Sequence, residues 1–158
     1  MLHLSSRLVE FLDQQQVDYE VIHHLRDFTA QRTAADTHTP GRAFAKAVIV
    51  IADGARPAML VLPAHQKVDL KRAASVLGAA EVTLADERQL RRWFPDCEVG
   101  AEPPFGNLYD VPVYVSPMLA ADEEITFNGG SHDEAVRLPY RIYQHLVHPK
   151  IADVAMHS

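Results

Sequence analysis

The sequence predicts a mixed α/β fold in which helices pack around a curved, mixed and largely antiparallel sheet. Apolar residues recur at helical spacing in several segments, and two apolar, β-rich runs flank an Asp-Gly turn signal. Strand and helix signals follow each other without strict β-α-β alternation, which argues against a doubly wound parallel fold. The chain has 158 residues, of which 47% are hydrophobic. This length favours a single domain over residues 1–158.

Charge and composition limit the possible partners. The formal net charge of -6 argues against a broad basic face that coats nucleic acid, although a local pocket for one phosphate remains open. The single cysteine excludes an internal disulfide and a multi-cysteine metal site. Charged residues interrupt the apolar pattern of residues 1–16, so neither a signal peptide nor a membrane span is expected there. We therefore expect a cytoplasmic protein with no membrane partner.

Two helices have clear boundary signals. Residues 5–16 carry apolar side chains at helical spacing, with a serine available as the N-terminal cap. Residues 68–78 have Asp69 as a candidate cap and Gly78 as the C-terminal stop. The other predicted elements, in chain order, are a strand over 18–24, a brief helix over 29–37, a strand near 81–85, a helix over 86–94, strands over 110–116 and 123–128, and a strand that runs into a helix near Pro139.

The run from 43 to 63 predicts a β-hairpin at the centre of the sheet, with Asp53-Gly54 at its turn. Because side chains alternate along a strand, Lys46 shares one face with Val48 and Val50. A lone ammonium in an apolar row must reach water, pair with a carboxylate or await an anionic ligand. Lys46 is therefore either a lysine that stretches to solvent or an anion-binding or catalytic lysine.

A stiff segment, GAEPPFG, spans residues 100–106. Gly100 and Gly106 can adopt backbone angles that are closed to other residues, and Pro103 and Pro104 hold the chain extended. A rigid backbone can present N–H and C=O groups to a ligand without an ordering cost. Structural loops use the same residues, so this segment is either the wall of a pocket or a plain connection.

The segment FNGGSHDEAVRL suggests a second loop. Asn128, Gly129 and Gly130 predict a tight turn, and His132 follows on its far side. A histidine beside a glycine turn can approach a ligand closely, and it can equally be a solvated loop residue. Both interpretations stay open.

Metal sites and a cysteine nucleophile find little support. His145 and His148 could share one helix face, but no carboxylate or cysteine completes a ligand set around them. Cys97 lies between two acidic residues, which should disfavour its thiolate. We expect no metal and no cofactor.

Taken in order, these features resemble the YbaK/EbsC family. The resemblance rests on the helix start at Thr29, the strand lysine at 46, VLPAHQKVDLKRAASVLGA, the Gly-x-x-x-Pro stretch GAEPP followed by FG, and NGGSHDEAVRL. That family groups free-standing aminoacyl-tRNA deacylases with the editing insertion domain of bacterial prolyl-tRNA synthetase. The similarity runs from about residue 18 to 147 and implies the same α/β fold.

The resemblance implies a trans-editing enzyme that hydrolyses the ester between a wrong amino acid and the terminal adenosine of tRNA. It makes Lys46 the key lysine, which binds phosphate or ester oxygen near the reaction centre. The loop from Gly100 to Pro104 would hold the aminoacylated adenosine. The substrate-binding residues that it implies are Thr29, Gly100, Pro103, Pro104, Phe105, Gly106, Gly129, Gly130 and His132.

The chemistry can be outlined without a metal. Lysine and loop amides could hold the developing oxyanion, and a bound water, aided by the neighbouring ribose hydroxyl, would attack the ester. The acidic net charge suits a protein that grips only the acceptor end of a mischarged tRNA, with help from a synthetase or an elongation factor. Two alternatives remain: a non-catalytic module that senses aminoacyl-tRNA or a related nucleotide, and a hydrolase of another small acyl ester.

Overall fold

One eight-stranded mixed sheet organises the computed structural model, which describes residues 4–24, 30–37, 39 and 43–157. The spatial order is β1-β7-β6-β2-β3-β5-β8, and β4 pairs with β2. The strands are β1 Glu20–His23, β2 Phe44–Ala52, β3 Arg56–Pro63, β4 Val82–Leu84, β5 Val113–Val115, β6 Glu124–Ser131, β7 Glu134–Pro139 and β8 Lys150–Ile151. The longest pairings, β2 with β3 and β6 with β7, are antiparallel, whereas β2–β6, β3–β5 and β5–β8 are parallel. The predicted mixed α/β fold is confirmed.

The helices pack against this sheet, and several of them begin at a residue whose side chain caps the helix. The helices are α1 Ser6–Gln14, α2 Ala30–Asp36, α3 Leu70–Leu77, α4 Glu87–Trp93, α5 Pro117–Ala120 and α6 Tyr140–Val147, with a 3-10 turn over Gly106–Tyr109. The Ser5 side chain caps α1, and Asp69 caps α3. Gly78 ends α3 in the left-handed conformation, as predicted. In the described ranges, no helix is long and apolar enough to cross a membrane.

The central hairpin places Lys46 as the sequence predicts. β2 and β3 pair along their whole length around a turn in which Asp53 and Gly54 both have positive φ. Val48 and Val50 pack with a smaller apolar cluster on one face of β2, whereas Ile49 packs with the main core on the other. Lys46 therefore stands in line with Val48 and Val50, at one end of the strand.

The predicted tight turn at Asn128-Gly129-Gly130 is wrong. These residues lie inside β6, and the reversal comes at residues 132–133, between Ser131 and Glu134. The register shifts between Asn128 and Ser131, which marks a β-bulge. Gly130 has φ +114, and a Cβ there would lie 2.8 Å from the Ser5 nitrogen. The glycines are needed because the start of α1 approaches the strand, not because the chain turns.

Candidate active site

A cavity of about 290 Å³ opens between β2 and the segment of residues 98–105, called here the proline loop. β2 contributes Lys46, the end of β4 and α4 contribute apolar side chains, and the proline loop contributes Gly100 and Glu102. The residues that line the cavity are Lys46, Ala47, Val48, Ile49, Leu84, Ala85, Leu90, Gly100 and Glu102. The fold thus joins two sequence motifs, the strand lysine and the Gly-x-x-x-Pro segment, at one concave surface.

Lys46 is half-buried and has little internal compensation for its charge. Its Nζ donates a hydrogen bond to the Ala64 carbonyl at 3.3 Å. Among the described residues no carboxylate forms an ion pair with it, and burial, reinforced by the charge of Lys67, lowers its pKa. An ammonium that is partly desolvated and lies near a second cation favours an anionic ligand.

The proline loop is fixed to the sheet through the β6 bulge. The Glu98 N–H donates to the Gly130 carbonyl at 2.8 Å, and the Gly130 N–H donates to the Ala101 carbonyl at 2.9 Å. Gly129 accepts from the Ser5 N–H at 2.7 Å, which ties the start of α1 to the same place. These bonds make the bulge a support for the loop.

His132 supports the loop from the same side. It is 3% exposed, its backbone N–H donates to the Glu98 carboxylate at 3.0 Å, and its ring Nε2 lies 2.8 Å from the Val99 carbonyl oxygen. A Cβ on Gly100, whose φ is +88, would lie 3.4 Å from the His132 ring. The residues predicted to contact substrate from this hairpin, Gly129, Gly130 and His132, are therefore placed behind the loop and do not line the cavity.

The second half of the proline loop belongs to the core. The Pro104 carbonyl accepts a hydrogen bond from the Tyr143 hydroxyl at 2.7 Å. Phe105 has no exposed surface and packs its ring against Phe127 and Tyr143. Neither these residues nor the other two predicted substrate contacts of this segment, Pro103 and Gly106, line the cavity. They hold the loop in place.

The sequence suggests that the backbone N–H groups of the proline loop could hold an oxyanion, but the structure shows several of them hydrogen-bonded within the loop. The Gly100 N–H donates to the Glu102 carboxylate, at 3.1 and 3.2 Å to its two oxygens. The Ala101 N–H donates to the Glu98 carbonyl, and the Phe105 N–H donates to the Pro103 carbonyl. Proline has no N–H to offer. These three donors are engaged within the loop, and Lys46 is the cationic residue that lines the cavity.

Glu102 is the cavity residue that the sequence reasoning missed. It is 5% exposed, and burial raises its pKa to about 7, an effect that the backbone N–H groups of Glu102 and Gly100 partly oppose. The available signal was an ionisable residue between Gly100 and the two prolines of a loop that already looked like a pocket wall. Its burial could not be deduced without the fold.

Thr29, also predicted to bind substrate, lies outside the described residues. The part of the chain that the structure describes contains no group of three or more His, Cys, Asp or Glu side chains that could hold a metal ion. Of the predicted site residues, the structure brings Lys46 and Gly100 together at the cavity.

A separate polar cluster, called here the α1 network, lies beneath the start of α1 and consists of Ser5, Asp96, Cys97 and Tyr109. The Tyr109 hydroxyl donates to Asp96 at 2.8 Å, and the Ser5 hydroxyl donates to the same carboxylate. Burial acts to raise the pKa of Asp96, but the hydrogen bonds from Ser5 and Tyr109 hold it below its ordinary value. Burial raises the pKa of the Cys97 thiol to about 12. Cys97 is therefore protonated at neutral pH and is a poor nucleophile, in agreement with its acidic neighbours.

The chain matches a known protein family over most of its length. Residues 27–146 match the aminoacyl-tRNA editing domain, which is most of the chain. The chain belongs to this family and is an aminoacyl-tRNA deacylase, an ester hydrolase.

Named relatives and solved structures show the same similarity. The multifunctional Ser/Thr-tRNA deacylase ProXp-y of Escherichia coli K12 is 28% identical over 152 residues, which cover 94% of this chain and 90% of that protein. A crystal structure of a candidate trans-editing enzyme for prolyl-tRNA synthetase superimposes with a TM-score of 0.84 at 17% identity, covering 97% of each chain. The hypothetical protein APE2540 gives a TM-score of 0.84 at 16% identity and covers 96% of this chain and 100% of its own. These two structures show that the fold is shared.

Proposed function

We propose that this protein is a trans-editing deacylase that hydrolyses the ester of a mischarged tRNA in the cavity between Lys46 and the proline loop. One observation carries the proposal: Lys46 and the Gly-x-x-x-Pro loop, which are distant in sequence, line the same cavity. The family match and the strands of one sheet, from residue 20 to 151, support a single domain over residues 1–158.

The reaction needs a nucleophile and a site for the oxyanion. A water molecule adds its oxygen to the ester carbonyl carbon, and the carbonyl oxygen becomes an oxyanion that the Lys46 ammonium stabilises. The bond from that carbon to the ribose oxygen then breaks, and the ribose oxygen takes up the proton that the attacking water has released. The products are a free amino acid and a tRNA with an unmodified terminal ribose. The thiol of Cys97 is protonated and hydrogen-bonded within the α1 network, which supports water as the nucleophile.

The expected partner is the acceptor end of tRNA, with a synthetase or an elongation factor as a possible helper. The positive charge of Lys67 near Lys46 suits a terminal phosphate, whereas the net charge of -6 does not suit a grip on the whole tRNA. The E. coli relative is named a Ser/Thr-tRNA deacylase, so seryl and threonyl esters are the first candidates. One methylene in such a pocket changes binding by only about 1–3 kcal/mol, so other small amino acids belong in the same test.

A panel of matched and mismatched aminoacyl-tRNAs tests the proposal. Loss of the ester is followed with the wild-type protein, with Lys46→Ala, and with Lys71→Ala as a control on an exposed lysine of α3. Hydrolysis of a mischarged species that Lys46→Ala loses and Lys71→Ala keeps is the expected result. Binding of aminoacyl-tRNA without hydrolysis of any species would support the sensing module instead. Hydrolysis of free acyl esters without a need for tRNA would support the other ester hydrolase.

A further inference from the structure

Glu102 is a buried ionisable residue that lines the cavity. Its side chain is 5% exposed, and the contacts that oppose the effect of burial are two backbone N–H groups. Lys46 lines the same cavity without forming an ion pair with Glu102. In the described part of the chain, no cation compensates this carboxylate.

Such an arrangement is costly in the free protein. A buried carboxylate loses its hydration, and two hydrogen bonds from neutral amides replace only part of it. Ionisable groups that a fold buries without a counter-charge are concentrated where a ligand supplies the missing partner. The missing partner here is a cation small enough to enter the cavity.

The substrate of the proposed function carries such a cation. In an aminoacyl ester, the α-ammonium group is bonded to the carbon next to the reacting carbonyl. A cavity that holds the carbonyl near Lys46 therefore also receives the α-ammonium. An ammonium–carboxylate contact in a desolvated site is among the stronger polar interactions in proteins.

We propose that the Glu102 carboxylate binds the α-ammonium of the aminoacyl group, so that the cavity selects esters with a free α-amino group over otherwise identical acyl esters. This inference rests on the proposed function and assigns the two charged groups of the cavity to different ends of one substrate. Lys46 stabilises negative charge at the ester or a phosphate, and Glu102 binds positive charge at the amine. Cys97, whose thiol is protonated, lies near Glu102, and His132 lies behind the loop against Gly100, with the Glu98 carboxylate on its backbone N–H.

Two other roles for Glu102 give different results in experiments. As a structural brace, it accepts from the Gly100 N–H, and a glutamine oxygen can accept the same bond. As a general base, it would accelerate the hydrolysis of every ester that binds. Recognition of the α-ammonium predicts instead that the loss depends on whether the substrate has that group.

The test compares one aminoacyl-tRNA with its α-hydroxyacyl counterpart, made by deaminating the same charged tRNA with nitrous acid. Single-turnover rates are divided by the uncatalysed rate of each ester, because the ammonium itself activates the carbonyl. The proteins are wild type, Glu102→Gln, Glu102→Asp, and Glu10→Gln as a control on an exposed carboxylate of α1.

The wild-type protein should prefer the amino ester by about 10- to 100-fold, in line with the strength of a hydrogen bond to a charged group. Glu102→Gln should reduce this preference to about twofold or less, because the rate on the amino ester falls much further than the rate on the hydroxy ester. Glu102→Asp, which keeps the charge, should retain part of the preference, and Glu10→Gln should retain all of it.

An unchanged preference in Glu102→Gln, or an equal loss on both esters, would overturn the inference and leave the deacylase function standing. A wild-type protein that hydrolyses no species of the aminoacyl-tRNA panel would overturn the proposed function, and the inference with it.

Discussion

The cavity and the α1 network both contain buried or partly buried ionisable groups, but only the α1 network compensates its charge with hydrogen bonds from neighbouring side chains. In the α1 network, the Asp96 carboxylate accepts from Ser5, from Tyr109 and from the Arg7 backbone N–H, and its pKa falls. In the cavity, the pKa of Glu102 rises to about 7, and the pKa of Lys46 is lowered. The first region stabilises its charge, whereas the second leaves its charges under-compensated.

This difference indicates which of the two polar clusters is suited to bind a ligand. A network whose members satisfy each other contributes to stability and offers little to a substrate. Charges that the fold desolvates without partners reduce stability and gain their compensation when a ligand binds. This criterion favours the proposed active site at Lys46 and Glu102, although the α1 network contains the serine and the cysteine that a search for nucleophiles would select first.

The largest expected effect is a difference in deacylase activity between a variant of the cavity and a variant of the α1 network. Lys46→Ala should lower kcat for deacylation by about 10²- to 10³-fold, since it removes the cation that stabilises the oxyanion. Asp96→Asn, in the α1 network, should leave kcat per folded molecule within about threefold of wild type, because no residue of that network lines the cavity of the proposed site. Single-turnover rates, corrected for the folded fraction from circular dichroism, measure both. Equal losses in the two variants would remove the distinction between the regions.

The next largest effect is on stability, because the ionisation of Glu102 is expected to destabilise the fold. Burial raises the Glu102 pKa from 4.5 to about 7, so the unfolded chain releases this proton at lower pH than the folded protein does. The ionisation of Glu102 therefore lowers the stability of the folded protein as the pH rises from about 4.5 through about 7, by about 3 kcal/mol in total.

Glu102→Gln removes this ionisation, so it should be more stable than wild type at pH 8.5 by up to about 3 kcal/mol. The gain should shrink toward zero near pH 4, where the wild-type carboxyl is protonated in both states. Urea unfolding at the two pH values measures it, with Glu10→Gln as the exposed control. A variant that is less stable than wild type at both pH values would show that Glu102 is a structural residue.

A smaller effect of the opposite sign is expected in the α1 network. Asp96→Asn should destabilise the fold by about 1–3 kcal/mol, because it weakens the hydrogen bonds from Ser5 and Tyr109 and leaves buried groups poorly paired. Urea unfolding at pH 7 gives the value, and Asp18→Asn, on the exposed segment before β1, provides the comparison. No loss of stability would contradict the view that this network is structural.

The smallest expected effect is at the cysteine. Cys97→Ala should leave the rate of deacylation within about twofold of wild type, because the thiol, whose pKa is raised to about 12, is not ionised. Alkylation of the wild-type protein by iodoacetamide at pH 7.5 should be correspondingly slow. A rate that falls by more than tenfold in Cys97→Ala would restore the cysteine as a candidate nucleophile.

The sequence predicts much of the fold, because short-range signals coincide with the tertiary structure. Asp69 and Gly78 bound α3, and the Asp53-Gly54 turn centres the β2–β3 hairpin. The exception is Gly129-Gly130, where a turn signal occurs inside a strand. Those glycines respond to the approach of Ser5 from a distant part of the chain, and such a contact leaves no local pattern.

The candidate site is harder to predict from the sequence than the fold is, because the pKa values of its ionisable residues depend on burial. The strand lysine and the glycine of the proline loop could be selected from their neighbours in sequence, and both line the cavity. Residue type alone could not show that Gly100 lines the cavity whereas Pro104 and Phe105 pack in the core. Glu102 could not be predicted for the same reason, because its pKa is raised by burial and burial is known only from the folded chain.

A crystal structure with a non-hydrolysable 3′-amide analogue of seryl-adenosine would show where the acyl group binds and so whether this cavity is the active site. The account predicts that the amide carbonyl lies near the Lys46 ammonium and that the α-ammonium lies within hydrogen-bond distance of the Glu102 carboxylate. An analogue bound elsewhere, with its carbonyl beside the α1 network or on another surface, would contradict the assignment of this cavity as the active site.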